Sequence, residues 1–113
     1  MKKEYEIQNV TRRSQKELDE DNEFSFIAVM KHGTMCMEYF APVKVDTQAI
    51  HRQDEIYVII KGDGIFFRDG ERVSCKKGDI LFVPAGMEHR FENFSVDFAA
   101  WVIFYGPDGG ENE

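Results

Sequence analysis

Apolar residues fall in short runs along most of this chain, separated by glycine, proline and acidic turns. Phe24-Ser-Phe-Ile-Ala-Val-Met30 and Met35-Cys-Met-Glu-Tyr-Phe40 are rich in aromatic and aliphatic side chains, with His32-Gly33 between them. Such residues suit a pleated, half-buried surface, so both runs predict strands. Pro42 opens a polar loop that runs through Gln48. Glu55-Ile-Tyr-Val-Ile-Ile60 is the next strand, closed by Gly62-Asp63-Gly64. Ile65–Arg68 and Arg72–Cys75 flank Asp69-Gly70. That dipeptide favours a type I′ hairpin, whose two central residues both need positive φ. Ile80–Val83 follows the Gly78-Asp79 turn, and His89–Phe91 and Asp97–Tyr105 complete the set.

No long segment carries a 3.6-residue apolar period. Many short strands with Gly and Pro turns predict a single all-β domain, a sandwich or barrel. Its expected bounds are residues 24–106. Residues 1–23 hold twelve charged side chains and are expected to form a polar arm. Within the arm, Tyr5, Ile7 and Val10 allow a short extended segment. Ser14 and Glu17 have capping-box spacing, which predicts one helical turn at 15–20. The Gly- and Pro-containing stretch 107–113 is expected to be a flexible tail.

The alternation also carries a message about surroundings. In the Glu55 strand, Ile56, Val58 and Ile60 share the face opposite Glu55, and all are apolar. In Phe98-Ala-Ala-Trp-Val-Ile-Phe-Tyr105 both faces are apolar again. A strand wet on one side alternates apolar with polar, so both faces here should be covered. A second copy of the chain is one cover, and a homodimer is expected.

Composition narrows the function classes. The 113 residues are 42% apolar, include ten Phe and sum to a formal charge of −7. That length and apolar content suit one globular domain with a real core. The acidic balance argues against a nucleic-acid surface, which needs clustered Lys and Arg. Arg12-Arg13 is diluted by Glu17, Asp19, Glu20 and Asp21. No apolar run approaches the roughly 20 residues of a membrane helix. The start, Met-Lys-Lys-Glu-Tyr-Glu, lacks a signal-peptide core, so a cytoplasmic location is expected. Cys36 and Cys75 form no C-x-x-C pair and are expected to be half-buried thiols in strands rather than a disulfide.

The most informative stretch is Gly78-Asp-Ile-Leu-Phe-Val-Pro84-Ala-Gly86-Met-Glu-His89-Arg-Phe-Glu-Asn93. It fills the frame G-x5-P-x-G-x2-H-x3-N without a gap and so resembles the second motif of the cupin family. The family's first motif, G-x5-H-x-H-x3-4-E-x6-G, is matched in part upstream. His51, Glu55 and Gly62 stand in register, but Ala49 replaces the first histidine and Val43 the opening glycine. The resemblance covers about residues 35–106 and is to small single-domain bacterial cupins. It implies a double-stranded β-helix (jelly-roll) barrel, a divalent metal in many members, and frequent dimers.

Carried over by position, the ligand set is His51, Glu55 and His89. Two imidazoles and one carboxylate suit iron, manganese, nickel or zinc, and three protein ligands leave positions open. Were the strand regular from residue 51, Gln53 would share the face and offer a weak ligand or orient a water. Tyr57, Ile59, Met87 and Phe91 have the parity of pocket walls, although plain barrel core is the other reading of the same residues. A metal-free alternative also stands: a hydrogen-bonded core histidine, with Glu55 neutral or paired. Against it, an unpaired carboxylate in a dry cavity resists ionisation. The family implies no single reaction. The expected function is a metal-dependent enzyme on a small molecule, an anion among the candidates, with the catalytic group unassigned. The alternative is a small-molecule binding or sensing barrel without chemistry.

Overall fold

The computed structural model describes residues 26–44, 46 and 50–112. The polar arm, its expected helical turn and the Ala49 position lie outside these residues. Every regular element among them is a strand: β1 (Phe26–His32), β2 (Met35–Phe40), β3 (Asp54–Lys61), β4 (Asp63–Arg68), β5 (Glu71–Lys76), β6 (Ile80–Val83), β7 (His89–Glu92) and β8 (Ala99–Tyr105). Among the described residues, no helix is long and apolar enough to cross a membrane.

The strands form two antiparallel sheets. One has five strands in the order β1-β2-β8-β3-β6, and the other three in the order β5-β4-β7. This is the all-β barrel expected from the strand pattern. The Asp69-Gly70 hairpin has positive φ at both residues, 49° and 86°, as its sequence demands. At Gly62 the chain swings from β3 into β4 with φ 74°, and a Cβ there would run into the Ser95 hydroxyl. A residue with a side chain would be strained on both counts.

The core lies between the sheets. Phe40, Tyr57, Ile59, Phe66, Phe91, Phe98, Val102 and Phe104 belong to one buried cluster. Its aromatic rings meet edge-on or tilted: Tyr57 and Phe91 centroids are 5.0 Å apart, and Phe91 and Phe98 4.9 Å. Such pairs add about 0.5–1.5 kcal/mol each beyond the apolar area they bury. On the outer side of the large sheet, Tyr39 and Ala99 gather Ile27, Val29, Ile60 and Trp101 in a second cluster. Between the sheets, Arg68 Nη1 donates to the Phe82 carbonyl at 2.7 Å. The Arg68 head group is thereby engaged at the β6 edge.

The segment expected as a flexible tail makes specific contacts. Gly109 N–H donates to the Arg52 carbonyl at 2.7 Å, Glu111 N–H to Asp54 Oδ2 at 2.9 Å, and Arg52 pairs with Asp108 at 2.5 Å. These contacts brace the backbone just ahead of β3, where one of the candidate ligands sits.

Candidate metal centre

Register brings the three candidate ligands together. Glu55 is the second residue of β3 and lies opposite Val83 of β6 and Phe104 of β8. His89 opens β7 on the facing sheet. His51 comes from the irregular stretch before β3, which begins only at Asp54. Its position is set by the backbone: its carbonyl accepts Gly86 N–H at 2.9 Å. Gly86, with φ 79°, is the turn glycine of the downstream motif, so one main-chain bond joins the two motifs. The downstream motif closes at Asn93, whose φ of 47° is a left-handed conformation that Asn tolerates better than most residues.

One ligand atom from each of His51, Glu55 and His89 lies within 4.8 Å of the others. Glu55 is 0% exposed and His89 4%, while His51 is half-buried. His89 Nε2 stands 2.6 Å from Glu55 Oε1. His89 Nδ1 lies 3.0 Å from the Met87 carbonyl, which can only accept, so that nitrogen carries a proton. In neutral His89, Nε2 then presents a lone pair to a carboxylate oxygen at close range. A cation must sit between or beside them, either a proton or a metal. The Tyr57 hydroxyl is 3.1 Å from His89 Nε2 and 3.4 Å from Glu55 Oε1, and it can donate to only one of them.

The second half of the site lacks even that resolution. His51 Nδ1 is 3.1 Å from Glu55 Oε2, close enough for charge attraction. Both atoms are buried, and among the described residues neither has a well-formed hydrogen bond. Leaving a buried polar atom unsatisfied costs about 1–3 kcal/mol. Two orphaned donor atoms facing each other are what a bound cation would satisfy. The donor set, two imidazoles and a carboxylate, is chemically right for a first-row transition ion.

Electrostatics follow this layout. Burial pushes the Glu55 carboxyl up, but the pull of His51 and His89 outweighs it and the net shift is down. Burial pushes His89 down, and the Glu55 carboxylate, the Met87 carbonyl and Asp46 overcome it, so its pKa is raised. Beside them, Asp54 has a separate duty. Its two oxygens accept the Glu111 and Ala85 amides, which hold its carboxyl below the usual range.

The other expected site residues divide. Tyr57 reaches the group directly. Met87 contributes its carbonyl to His89, and its side chain packs on the inner cluster. Phe91 and Ile59 are buried beneath and belong to the core. Gln53 is diverted: its Nε2 donates to the carbonyls of Thr34 and Gly106, at 2.9 and 3.0 Å. The alternation assumed from residue 51 fails because β3 starts later. Three neighbours escaped sequence reasoning. Phe104 sets its ring edge-on to His51 at 4.9 Å. Asp46 is buried and accepts the Phe91 amide at 2.8 Å. Glu38 is half-buried on β2. Only pairing partners, invisible in a linear chain, bring these three to the site. Two surface cavities among the described residues, of about 540 and 240 Å³, involve none of the three candidate ligands. Cys75 is buried, and desolvation pushes its thiol up to about 11, as befits an inert core cysteine.

The chain belongs to the cupin family: the family model for the cupin domain matches residues 37–105. It is 41% identical to acireductone dioxygenase 1 of Pectobacterium atrosepticum over 64 residues, 52% of this chain and 37% of that one. It is 44% identical to the oxalate-binding protein of Thermotoga maritima over 52 residues, 43% of each chain. The chain thus spans well under half the length of either relative. Among solved structures, a Cupin 2 conserved barrel domain protein from Salinispora arenicola superposes with a TM-score of 0.67 at 19% identity, over 89% of this chain and 88% of that one. That likeness concerns the fold alone.

Proposed function

We propose that this cupin binds a divalent transition metal through His51, Glu55 and His89 and acts through it on a small molecule. The observation that carries the proposal is the 4.8 Å group of three potential ligand atoms, in which buried His51 Nδ1 and Glu55 Oε2 face each other at 3.1 Å without a well-formed hydrogen bond. Iron, manganese, nickel and zinc all suit this donor set. When bound, such an ion supplies Lewis acidity toward a carbonyl or enolate oxygen, or redox chemistry if it is iron. The chain's own residues do the rest. Met87 holds His89 in the tautomer that offers Nε2 outward, a fixing role typical of partners behind metal ligands. Tyr57 offers a hydroxyl proton beside the ligand atoms. The likeness to an acireductone dioxygenase supports a catalytic role on a small oxygenated molecule.

A second reading, binding without chemistry, draws on the likeness to an oxalate-binding protein. A metal-free version has its own support in the 2.6 Å contact of His89 with Glu55, which a protonated imidazole also satisfies. Elemental analysis after reconstitution with each of the four metals separates the metal-bound readings from the metal-free one, and turnover by the loaded protein separates catalysis from binding. About one equivalent of metal in the native chain and none in His89→Ala supports the proposal. No metal in either leaves the protonated pair.

The same barrel supports a homodimer. Ile80 (70% exposed) and Phe82 (44%) stand on the outer face of the large sheet, beside half-buried Ile56, Val58, Ile103 and Trp101. Sedimentation at micromolar concentration should give twice the chain mass. A monomer would remove this part of the proposal.

A further inference from the structure

Glu38 is the acidic residue of β2, and the sheet register fixes where it points. Cys36 and Phe40, two residues to either side, pack with the inner cluster, whereas Tyr39 belongs to the outer one. Alternation therefore turns Glu38 inward. It pairs with Val102 of β8, which pairs with Tyr57 of β3. The next row of the same face is Cys36, Phe104 and Glu55. Glu38 thus stands in the row of the hydroxyl that touches the candidate ligands. On its other side it faces Ala28 of β1, which is small and exposed. It lies outside the 4.8 Å group, so it is not a fourth member of the ligand set.

Its surroundings tie it to the site. Burial raises its pKa most, His51 lowers it, Glu55 raises it and Lys31 lowers it. Two of those three charged neighbours are candidate ligands. The electrostatic consequence is simple. A dication with neutral imidazoles and the Glu55 carboxylate leaves one net positive charge, which would favour an anion. A second carboxylate in the adjoining row brings the pocket to neutrality. The expectation of an anionic ligand, drawn from His51, Glu55 and His89 alone, is thereby changed.

We propose that Glu38 is a specificity-determining residue that faces the ligand at the metal group, accepting a hydrogen bond from its hydroxyl or amine and selecting neutral hydroxyl-bearing small molecules over dianions. This rests on the metal-binding proposal above. Its test uses native chain, Glu38→Gln and Glu38→Asp, each loaded with nickel at pH 8 and then titrated with oxalate and with dihydroxyacetone by calorimetry. All three should load about one nickel. Glu38→Gln should bind oxalate about tenfold more tightly than the native chain, the effect of removing one charge near a partly buried site. It should bind dihydroxyacetone more weakly. Glu38→Asp, which keeps the charge, should follow the native chain with oxalate. Equal oxalate affinity in the native chain and Glu38→Gln would overturn the inference, and so would loss of nickel in Glu38→Gln, which would make Glu38 a ligand. Absence of nickel from the native chain sinks the metal proposal, and it shows in the loading step before oxalate is added. If Glu38→Gln does not fold, Ala28→Lys neutralises Glu38 from the exposed neighbouring position. The same tightening of oxalate is expected there, and an unchanged affinity overturns the inference.

Discussion

Glu55 and Ile59 stand four residues apart on one face of β3 and are equally hidden, 0% and 1% exposed. Around Glu55 the neighbours are two imidazoles and a hydroxyl. Ile59 pairs with Ala100 and belongs to the same buried apolar cluster as Phe40 and Phe98. One strand face therefore grades from charge to hydrocarbon within a few residues, with Tyr57 between: ring in the aromatic cluster, hydroxyl on the ligands. Burial alone does not tell a site from a core here. What separates them is whether each buried polar atom has a partner, and at the Glu55 end two do not.

Substitutions at the two ends should fail in different ways. The largest effect is expected for Glu55→Gln. It keeps the shape and removes the charged ligand, and metal affinity should drop by more than about a hundredfold, since loss of even a supporting partner costs about 10–100-fold. Competition with a metal-indicator dye measures this, and native-like affinity in Glu55→Gln would erase the distinction between the ends. At the other end, Phe98→Ala should cost about 3–5 kcal/mol in chemical denaturation, the usual toll for emptying an aromatic core position. The folded fraction should still bind its metal.

The ends should also respond differently to pH. In metal-free protein the raised His89 pKa gives stability that is full below about 6.5 and fades as pH rises through the folded value. The lowered Glu55 pKa gives stability present above about 4.3 that fades as pH falls through its folded value. Unfolding midpoints should therefore peak between these limits without metal. With metal the order reverses, because imidazole ligands must be deprotonated and affinity climbs with pH. An identical pH profile with and without metal would remove His89 from the ligand set. The smallest effect is expected in the middle of the gradient. Tyr57→Phe keeps the ring in its cluster and loses one hydrogen bond, so stability should fall by about 0.5–1.5 kcal/mol.

The fold was legible in the chain because strand signals here are local. Apolar runs, the Asp69-Gly70 pair and the Pro84-Gly86 turn each act through neighbouring dihedral angles. The grouping of His51, Glu55 and His89 was legible because two motif fragments hold these residues at fixed spacing. What escaped is what depends on register. Glu38 sits alone in an otherwise apolar run, where one charge reads as the wet side of a strand. Its inward side shows in the packing of Cys36 and Phe40 with the inner cluster, and its row in its pairing with Val102 and, through it, Tyr57. Gln53 had the right parity, but the strand starts one residue later and its amide is engaged by Thr34 and Gly106. Asp46 and the Arg52–Asp108 contact join positions far apart in sequence, and no local pattern announces such pairs.

The place of β8 in the large sheet has a consequence for biosynthesis. It is the last strand among the described residues and lies between β2 and β3. Until residues 99–105 leave the ribosome, β2 and β3 each expose an open edge, and their apolar faces have no shared neighbour. Long-range pairing of this kind is slow and aggregation-prone. Nascent chains halted before Ala99 are expected to stay protease-sensitive and bound to holding chaperones, and chains extended well past Tyr105 to be resistant. Protease resistance in the shorter chains would show that the sheet can assemble without its central strand.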